Sequence, residues 1–245
     1  RKTVPKDNYA DSTKAAASHD ASKASLPHCP KRVTIISGHF GSGKTNIAVN
    51  YAMHLCKAGY KTALADLDTV NPYFRAKDSE NELTSAGVRV VSVNFANTNA
   101  DIPSVPAEIY SLLRSKDEYA VLDVGGDDMG AYVLGGMAQL VKNENSFEHF
   151  FVVNFCRPLT PTAEEAAEYM KEIELACKIP FTGIINNSNL GEETTPETVL
   201  RAAEKAALLE KMTGKQIVMT TAETGVAAQI KDENIFPLEL QKKYW

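Results

Sequence analysis

Residues 38–45 read Gly38-His39-Phe40-Gly41-Ser42-Gly43-Lys44-Thr45, which fits the pattern G-x-x-x-x-G-K-[ST]. Glycines at this spacing allow the main chain to fold around a pyrophosphate so that successive N–H groups point inward. A helix that begins at the end of the loop adds its N-terminal partial positive charge at the same phosphates. We therefore predict that this stretch forms a phosphate-binding loop (P-loop) around a nucleotide.

The sequence on both sides of the loop has the context that this motif requires. Residues 32–37 are a β-branched run typical of a buried parallel strand. After the loop, apolar residues recur at helical spacing, at Ile47, Ala48, Tyr51, Ala52, Leu55 and Cys56. In such a strand–loop–helix unit, Lys44 reaches the β- and γ-phosphates and the Thr45 hydroxyl ligates Mg²⁺.

A second predicted strand, residues 61–68, ends in two carboxylates, Asp66 and Asp68. Two residues apart on a strand, they share one face, and the end of this strand should return beside the phosphates. The alternative is an exposed strand end with a polar turn. Residues 71–75, which follow, form a polar and aromatic loop of the kind that can sense a γ-phosphate.

Residues 119–124 form an apolar strand that ends in Asp123, the Walker B pattern, in which the carboxylate holds Mg²⁺ through its water shell. Residues 123–126 also read D-x-x-G. In switching NTPases, a glycine at the place of Gly126 commonly offers its N–H group to the γ-phosphate. Together with the P-loop some eighty residues earlier, this indicates a site for a nucleotide and a metal.

The rest of the chain alternates strands with helices, and at least six strands are predicted. The further strands lie near residues 88–95, 150–155, 181–186 and 216–220, and the longest helices near 162–177 and 196–212. Such alternation predicts an α/β fold of the P-loop NTPase type: a mostly parallel, doubly wound sheet with helices on both faces, in three layers. Ligands in these sheets bind at the carboxyl ends of the strands.

The composition of the chain indicates a tail followed by one domain. We expect residues 1–31, rich in Ala, Ser, Lys and Asp, to be a disordered or loosely packed tail, and residues 32–245 to be one nucleotide-binding domain. The net charge of −5 gives no strong signal for nucleic acid or anionic membrane. The four cysteines lie far apart without a C-x-x-C pair, which favours reduced thiols in a cytoplasmic protein.

The motifs at residues 38–45, 65–68, 123–126 and 183–187 together resemble those of MinD/ParA-type (SIMIBI-class) P-loop ATPases. The resemblance implies that ATP and Mg²⁺ are the cofactors. It further implies that Asp68 orients the attacking water with Asp66 as its neighbour, near Lys44 and the metal. The asparagine that ends the later strand contacts adenine in that family, which falls on Asn187, or on Asn186 if the register slips by one.

The chain departs from the family at two places. The family usually carries a signature lysine at the second position of the loop, which reaches across an ATP-bound dimer, and here that position is His39. Neutral histidine lacks the permanent charge, so a homodimer, if one forms, is expected to use another mode. The basic amphipathic membrane helix of the MinD branch is also missing, because residues 235–240 are interrupted by Pro237. The pattern indicates a bacterial branch without the signature lysine.

Three functions fit these features. The leading hypothesis is a Mg²⁺-dependent ATPase that binds ATP and ADP, acts as a switch for an unknown protein partner, and turns over slowly without it. A small-molecule kinase or ATP-dependent ligase is the second, although such kinases normally need several arginines around the acceptor, and this chain has seven in all. The third is a nucleotide-binding module that does not hydrolyse; the set of Asp66, Asp68 and Asp123 argues against it.

Overall fold

The structure, a computed structural model, describes residues 26, 28–68, 77–92, 107–125, 128–144, 146–232 and 234–239, with the main chain alone described at 77–79, 92 and 128. Most of the predicted tail lies outside these residues. So do residues 71–75, for which a loop was predicted, and so does Gly126.

Eight strands form a single sheet in the described part of the chain, and every neighbouring pair is parallel. In chain order they are β1 Val33–Gly38, β2 Thr62–Leu67, β3 Arg89–Ser92, β4 Tyr119–Val124, β5 Phe147–Val153, β6 Gly183–Asn186, β7 Ile217–Glu223 and β8 Ile235–Leu238. Their order across the sheet is β3-β2-β4-β1-β5-β6-β7-β8. The predicted α/β class and parallel sheet are confirmed.

Eight α-helices connect the strands within the described residues. They are α1 Lys44–Lys57, α2 Lys77–Ser85, α3 Ala107–Arg114, α4 Asp128–Gly136, α5 Ala138–Asn143, α6 Ala163–Cys177, α7 Pro196–Thr213 and the short α8 Thr224–Ala227. Local sequence defines the ends of the long helices. Thr162 and Thr195 cap α6 and α7 with their hydroxyls, and Gly214 ends α7 in the left-handed conformation.

The sheet is buried on both faces, and its central strands β1 and β2 are buried along their whole length. On one face, α1 packs Ile47 and Leu55 against Ile36 of β1 and Phe150 of β5. On the other face, α3, α4 and α5 cover β1 and β4, and α6 and α7 cover β5 and β6. This arrangement holds the β1–α1 junction rigidly from both sides.

Two strands differ from the sequence prediction. β5 begins at Phe147 rather than residue 150, because Glu148 and His149 pair in register with Thr34 and Ile35 despite their polar side chains. Burial of Glu148 is tolerated because its carboxylate accepts hydrogen bonds from Thr34 and from Tyr51, at 2.7 and 2.8 Å.

β8 was not predicted as a strand, because Pro237 interrupts its pattern. A proline is compatible with the edge of a sheet, where one side of the strand needs no hydrogen bonds. Asn50 of α1 secures the end of β8: its side chain donates to the Glu239 carbonyl and accepts from the Glu239 N–H group.

No helix in the described ranges is both long and apolar enough to traverse a bilayer. All four cysteines carry free thiols.

Candidate functional site

The predicted site residues that the structure describes gather at the carboxyl edge of the sheet, around the end of β1. This strand lies in the middle of the sheet, and the chain reaches β2, β3 and β4 on one side of it and β5 to β8 on the other. Where the strand order of a doubly wound sheet reverses, the connections of neighbouring strands run to opposite sides and leave a crevice between them. Ligands of such sheets bind in this crevice. The loop at residues 38–45 runs across this crevice.

The backbone of the loop has the shape that its glycines allow. Gly41 and Gly43 adopt φ angles of 78° and 87°, in the left-handed region that disfavours other residues. Between them, the Ser42 N–H group donates to the His39 carbonyl at 3.2 Å and closes a tight turn. Lys44 is buried at the start of α1, whereas Phe40 is 65% exposed at the tip of the loop.

The start of α1 differs from the starts of α6 and α7. Those two helices are capped by threonine hydroxyls and carry glutamates in the first turn. Helix α1 begins at Lys44, after the N-cap residue Gly43, with no side-chain cap and no acidic residue in its first turn. Its first N–H groups therefore remain available for an external anion, and phosphate is the ligand that suits this position.

Asp66 and Asp123 are neighbours across the sheet, since they are register partners on β2 and β4. Both are buried, and Asp68 follows as the first residue after β2. The Asp68 N–H group donates to Asp66 Oδ1 at 2.9 Å, which orients the Asp66 carboxyl group. The structure thus brings together three carboxylates that were predicted at the ends of two different strands.

Asp123 is a buried acid, and neither of its oxygens has a partner in good hydrogen-bond geometry among the described residues, although the Thr45 hydroxyl lies close enough to act on it. Burial raises its pKa to about 7, and the negative charges of Asp66 and Asp68 act in the same direction. The Lys44 charge and the Thr45 hydroxyl lower that pKa and so favour the ionised form. A hard divalent cation would supply the charge that this carboxylate lacks, so Thr45 and Asp123 fit a Mg²⁺ site.

No group of three or more His, Cys, Asp or Glu side chains within metal-binding reach of one another occurs in the described ranges. Mg²⁺ is usually held by one or two protein ligands, phosphate oxygens and water, and so does not need such a group. The residues therefore fit an ion whose coordination is completed by the nucleotide.

Asn187 follows β6 and contacts the loop directly. Its side-chain amide donates to the Ser42 carbonyl at 2.7 Å, and its Oδ1 accepts from the Thr221 hydroxyl at 2.6 Å. A Cβ atom at Gly43 would collide with the Asn187 amide nitrogen, so the side chain occupies the space that this glycine leaves free. The predicted adenine contact of Asn187 stays a prediction.

Asn186 is fully buried, and its Oδ1 accepts from the Ser188 hydroxyl at 2.7 Å, while its Nδ2 has no partner among the described residues.

The sequence interpretation missed the polar residues around Asn186. Asn154 ends β5, and its Oδ1 accepts from the N–H groups of Cys156 and Asn189. The rule that ligands bind at carboxyl ends of strands could have identified Asn154, since it directly follows an apolar run.

His39 faces the interior of its own chain. It is fully buried, its Nδ1 donates to the Phe40 carbonyl at 2.6 Å, and its Nε2 lies 2.8 Å from the Thr160 hydroxyl. The ring edge packs against Tyr169 of α6. Burial lowers the pKa of His39, and the charges of Lys44 and Arg157 lower it further. The ring is therefore neutral near pH 7, as the sequence interpretation expected.

One family of known nucleotide-binding proteins matches this chain. The family model described as the CobQ/CobB/MinD/ParA nucleotide binding domain matches residues 33–199, more than half of the chain. No match was found among curated proteins.

Among solved structures, FtsY from Mycoplasma mycoides is 17% identical with a TM-score of 0.51. The match covers 77% of this chain but only 59% of the FtsY chain, so the two share a fold over part of the larger protein. A nucleotide-binding protein from Archaeoglobus fulgidus in complex with ADP is 17% identical over 78% of this chain and 80% of its own, with a TM-score of 0.46. FlhF complexed with GMPPNP/Mg(2+) is 16% identical over 81% of this chain and 68% of its own, with a TM-score of 0.46.

Proposed function

This chain belongs to the CobQ/CobB/MinD/ParA nucleotide-binding family, and from that premise we propose that it is a Mg²⁺-dependent ATPase acting as a switch for a protein partner. One observation carries the proposal: the buried Asp123 carboxylate has no hydrogen-bond partner among the described residues and faces Lys44 and Thr45 at the phosphate loop. A buried carboxylate without a hydrogen-bond partner is costly to a fold, and a functional ligand is a sufficient reason to retain it.

Binding of ATP and ADP rests on the loop and on the start of α1. The inward N–H groups and Lys44 hold the β- and γ-phosphates, while Thr45 and Asp123 hold the metal, with Asp66 beside it. A bound Mg²⁺ supplies positive charge that neutralises the phosphate oxygens. The protein's own contribution is to place these donors in a site whose geometry is set before the nucleotide arrives.

Hydrolysis is assigned to the carboxylates at the end of β2. Asp68 orients the attacking water, and Asp66, whose Oδ1 accepts the Asp68 N–H group, keeps the turn between them in place. Gly126, at the end of the D-x-x-G motif, is proposed to donate its N–H group to the γ-phosphate. The protein partner would recognise the form of the chain in which this contact is made, and turnover without the partner is expected to be slow.

Preference for ATP over GTP rests on Asn186 and Asn187. Side-chain amides can pair with the N6 amino group and N7 of adenine. The unpartnered Nδ2 of Asn186, among the described residues, supports a free donor at this end of the sheet. The free cysteines support a reducing compartment such as the cytoplasm as the place of action.

The test is phosphate release from ATP and from GTP with Mg²⁺, measured over a range of protein concentrations, with Lys44→Ala as the inactive control. We expect slow turnover with ATP that Lys44→Ala abolishes. A rate per molecule that rises with protein concentration would indicate a homodimer formed despite His39.

Two other outcomes would replace the proposal. Phosphate that appears on an added small-molecule acceptor, rather than in solution, would favour a kinase or ligase. Tight binding of ATP without turnover, even at high protein concentration, would favour a non-hydrolysing module.

A further inference from the structure

Helix α4 is apolar on its outer side as well as on the side that faces the core. Ala131 and Leu134 are buried in the core on this face of the sheet. On the outer side, Met129 and Tyr132 lie one turn apart and are 37% and 65% exposed. The only charged residue of the helix is Asp128, at its start. A helix that is apolar all round is normally buried, so the outer side of α4 is suited to being covered by another molecule.

An open groove of about 760 Å³ lies beside Tyr132, between α4 and α6. Two consecutive glycines of α4 shape it. A Cβ atom at Gly135 would lie 3.0 Å from the Ala176 carbonyl oxygen, so the two helices approach closely there. A Cβ atom at Gly136 would meet no atom within 4 Å, so this residue leaves a hollow. Leu175 of α6 also lines the groove and is 70% exposed, which makes the hollow apolar on both sides.

A row of carboxylates on α6 leads into the groove. Glu164, Glu168 and Glu172 are exposed and spaced four residues apart, on one side of the helix, and Glu172 lines the groove. None of them forms an ion pair with a residue that the structure describes, and Lys171 and Lys178 offset only part of their charge. A second copy docked here by two-fold symmetry would bring two acidic rows into one interface, so a positively charged partner fits better.

The same helix packs on the D-x-x-G segment of the proposed nucleotide site. A Cβ atom at Gly130 would lie 2.7 Å from the Gly125 carbonyl oxygen and 2.9 Å from the Gly125 nitrogen. The main chain at Gly125 therefore has no room to move towards α4 unless the helix moves too. Because α4 also bounds the groove, a rearrangement of this segment on binding of a γ-phosphate would change the shape of the groove.

We propose that the groove between α4 and α6 docks an amphipathic helix of a protein partner, with basic side chains along one flank, and that the bound nucleotide alters its affinity. This inference rests on the proposed switch function and specifies the chemistry of its partner. Helices that bind in grooves are anchored by apolar side chains one turn apart, and these would fill the hollow over Gly136, between Tyr132 and Leu175. Lysines or arginines on the flank would pair with Glu168 and Glu172.

The test measures binding of a fluorescent synthetic peptide of about 15 residues, the length of α6, to the full chain by anisotropy. This lysine peptide carries leucines at helical spacing on one side and lysines along one flank. The matched glutamate peptide has every lysine replaced by glutamate. We expect the lysine peptide to bind at least about tenfold more tightly than the glutamate peptide. Equal binding of the two would contradict the assignment of a basic partner.

Two variants test the hollow itself. Gly136→Gln places a side chain in it and should weaken binding of the lysine peptide by about tenfold or more, without a lower Tm, because the space around the new Cβ atom is open. Leu175→Gln removes one apolar side of the hollow and should also weaken binding. Leu200→Gln, on α7, is the matched control because Leu200 is also exposed, at 56%, and it should bind as the wild type does.

Charge reversal tests the acidic row. Glu168→Lys/Glu172→Lys should weaken binding of the lysine peptide by about tenfold or more and strengthen binding of the glutamate peptide. Glu80→Lys/Glu82→Lys makes the same change of net charge on α2, which packs on the opposite face of the sheet, and is the matched control. If both double variants lose the same affinity, the peptide responds to the net charge of the chain and the groove is not its site.

The link to the nucleotide has a readout of its own. Titrations of the lysine peptide with Mg·ADP and with Mg²⁺ and a non-hydrolysable ATP analogue should give Kd values that differ by about fivefold or more. Equal values would overturn the link between the groove and the phosphate loop.

Three results separate the possible failures. If the chain hydrolyses ATP but does not bind the lysine peptide, the docking proposal is wrong and the proposed function stands. If the peptide binds and Gly136→Gln weakens it, but no nucleotide binds, the proposed function fails and the groove remains a docking surface. If light scattering shows a wild-type dimer that Gly136→Gln disperses, the groove joins two copies of this chain, which would overturn its assignment to a basic partner.

Discussion

The side-chain amide of Asn187 donates a 2.7 Å hydrogen bond to the main-chain carbonyl of Ser42, within the phosphate loop. The two residues are 145 positions apart in the chain, and both are buried. The Thr221 hydroxyl at the end of β7 donates to the same asparagine, at 2.6 Å. The loop after β1, the residue that follows β6 and strand β7 are thus joined by one set of hydrogen bonds, which holds the main chain of the loop in place.

Replacing Asn187 with alanine should loosen the loop, since the Ser42 carbonyl and the Thr221 hydroxyl both lose a partner. We expect Asn187→Ala to weaken binding of ATP and of tripolyphosphate by roughly tenfold, in line with the loss of buried hydrogen bonds. Calorimetry with both ligands measures this. A loss confined to ATP would instead mean that the amide acts on the base and not on the loop.

Gly43 should not tolerate a side chain. Its φ angle of 87° disfavours other residues, and a Cβ atom would collide with the Asn187 amide nitrogen. We expect Gly43→Ala to abolish nucleotide binding. Gly214→Ala is the matched control: its φ angle of 68° is also left-handed, but the space around it is open. The control should lose roughly 1 kcal/mol of stability and keep binding, and equal binding by both variants would contradict this account.

Asp68→Asn separates binding from hydrolysis. The amide keeps the size of the side chain and removes the charge that orients the water, so nucleotide affinity should stay within about threefold of the wild type while phosphate release falls by at least about a hundredfold. Binding and single-turnover assays on the same preparation check both quantities. Wild-type turnover in this variant would remove Asp68 from the mechanism.

Asp123→Asn should stabilise the protein in the absence of ligands. It removes a buried carboxylate that lies beside Asp66 and has no hydrogen-bond partner among the described residues. We expect the ligand-free variant to unfold at a higher Tm than the wild type at pH 8, where Asp123 is ionised, and to lose Mg²⁺-dependent turnover. Thermal unfolding with and without Mg·ATP measures both effects. A lower Tm would show that the carboxylate is already satisfied in the free protein.

His149 should make the fold sensitive to acid. It is fully buried between Ser37, 2.9 Å from its Nε2, and the Phe181 ring, and burial lowers its pKa to about 3. The unfolded chain takes up the proton near pH 6.5 and the folded chain does not, so the free energy of unfolding falls as pH drops from 6.5 towards 3. The slope reaches about 1.4 kcal/mol per pH unit.

Urea unfolding at pH 7, 6 and 5 tests this prediction against His149→Gln, which keeps a polar group towards Ser37 but does not titrate. The variant should lose less stability than the wild type over this range. Equal slopes for the two proteins would assign the acid sensitivity to other groups.

Much of the fold could be predicted because its signals are local. The P-loop, the strands ending at Asp66 and Asp123, and the helices begun by Thr162 and Thr195 all depend on residues that lie close together in the chain. The edge strand β8 could not be predicted, because Pro237 contradicts the usual strand pattern and is compatible only with an edge position. The early start of β5 was hidden because Glu148 is buried only through distant partners, Thr34 and Tyr51.

The sequence by itself determined the parallel α/β architecture and the chemistry of the loop, since glycine spacing and apolar periodicity act over a few residues. Only the tertiary structure decided which polar groups meet: Asn187 with Ser42, His39 with Thr160, and Asp66 with Asp123. These contacts join positions far apart in the chain, and they depend on strand order and register, which no local pattern specifies.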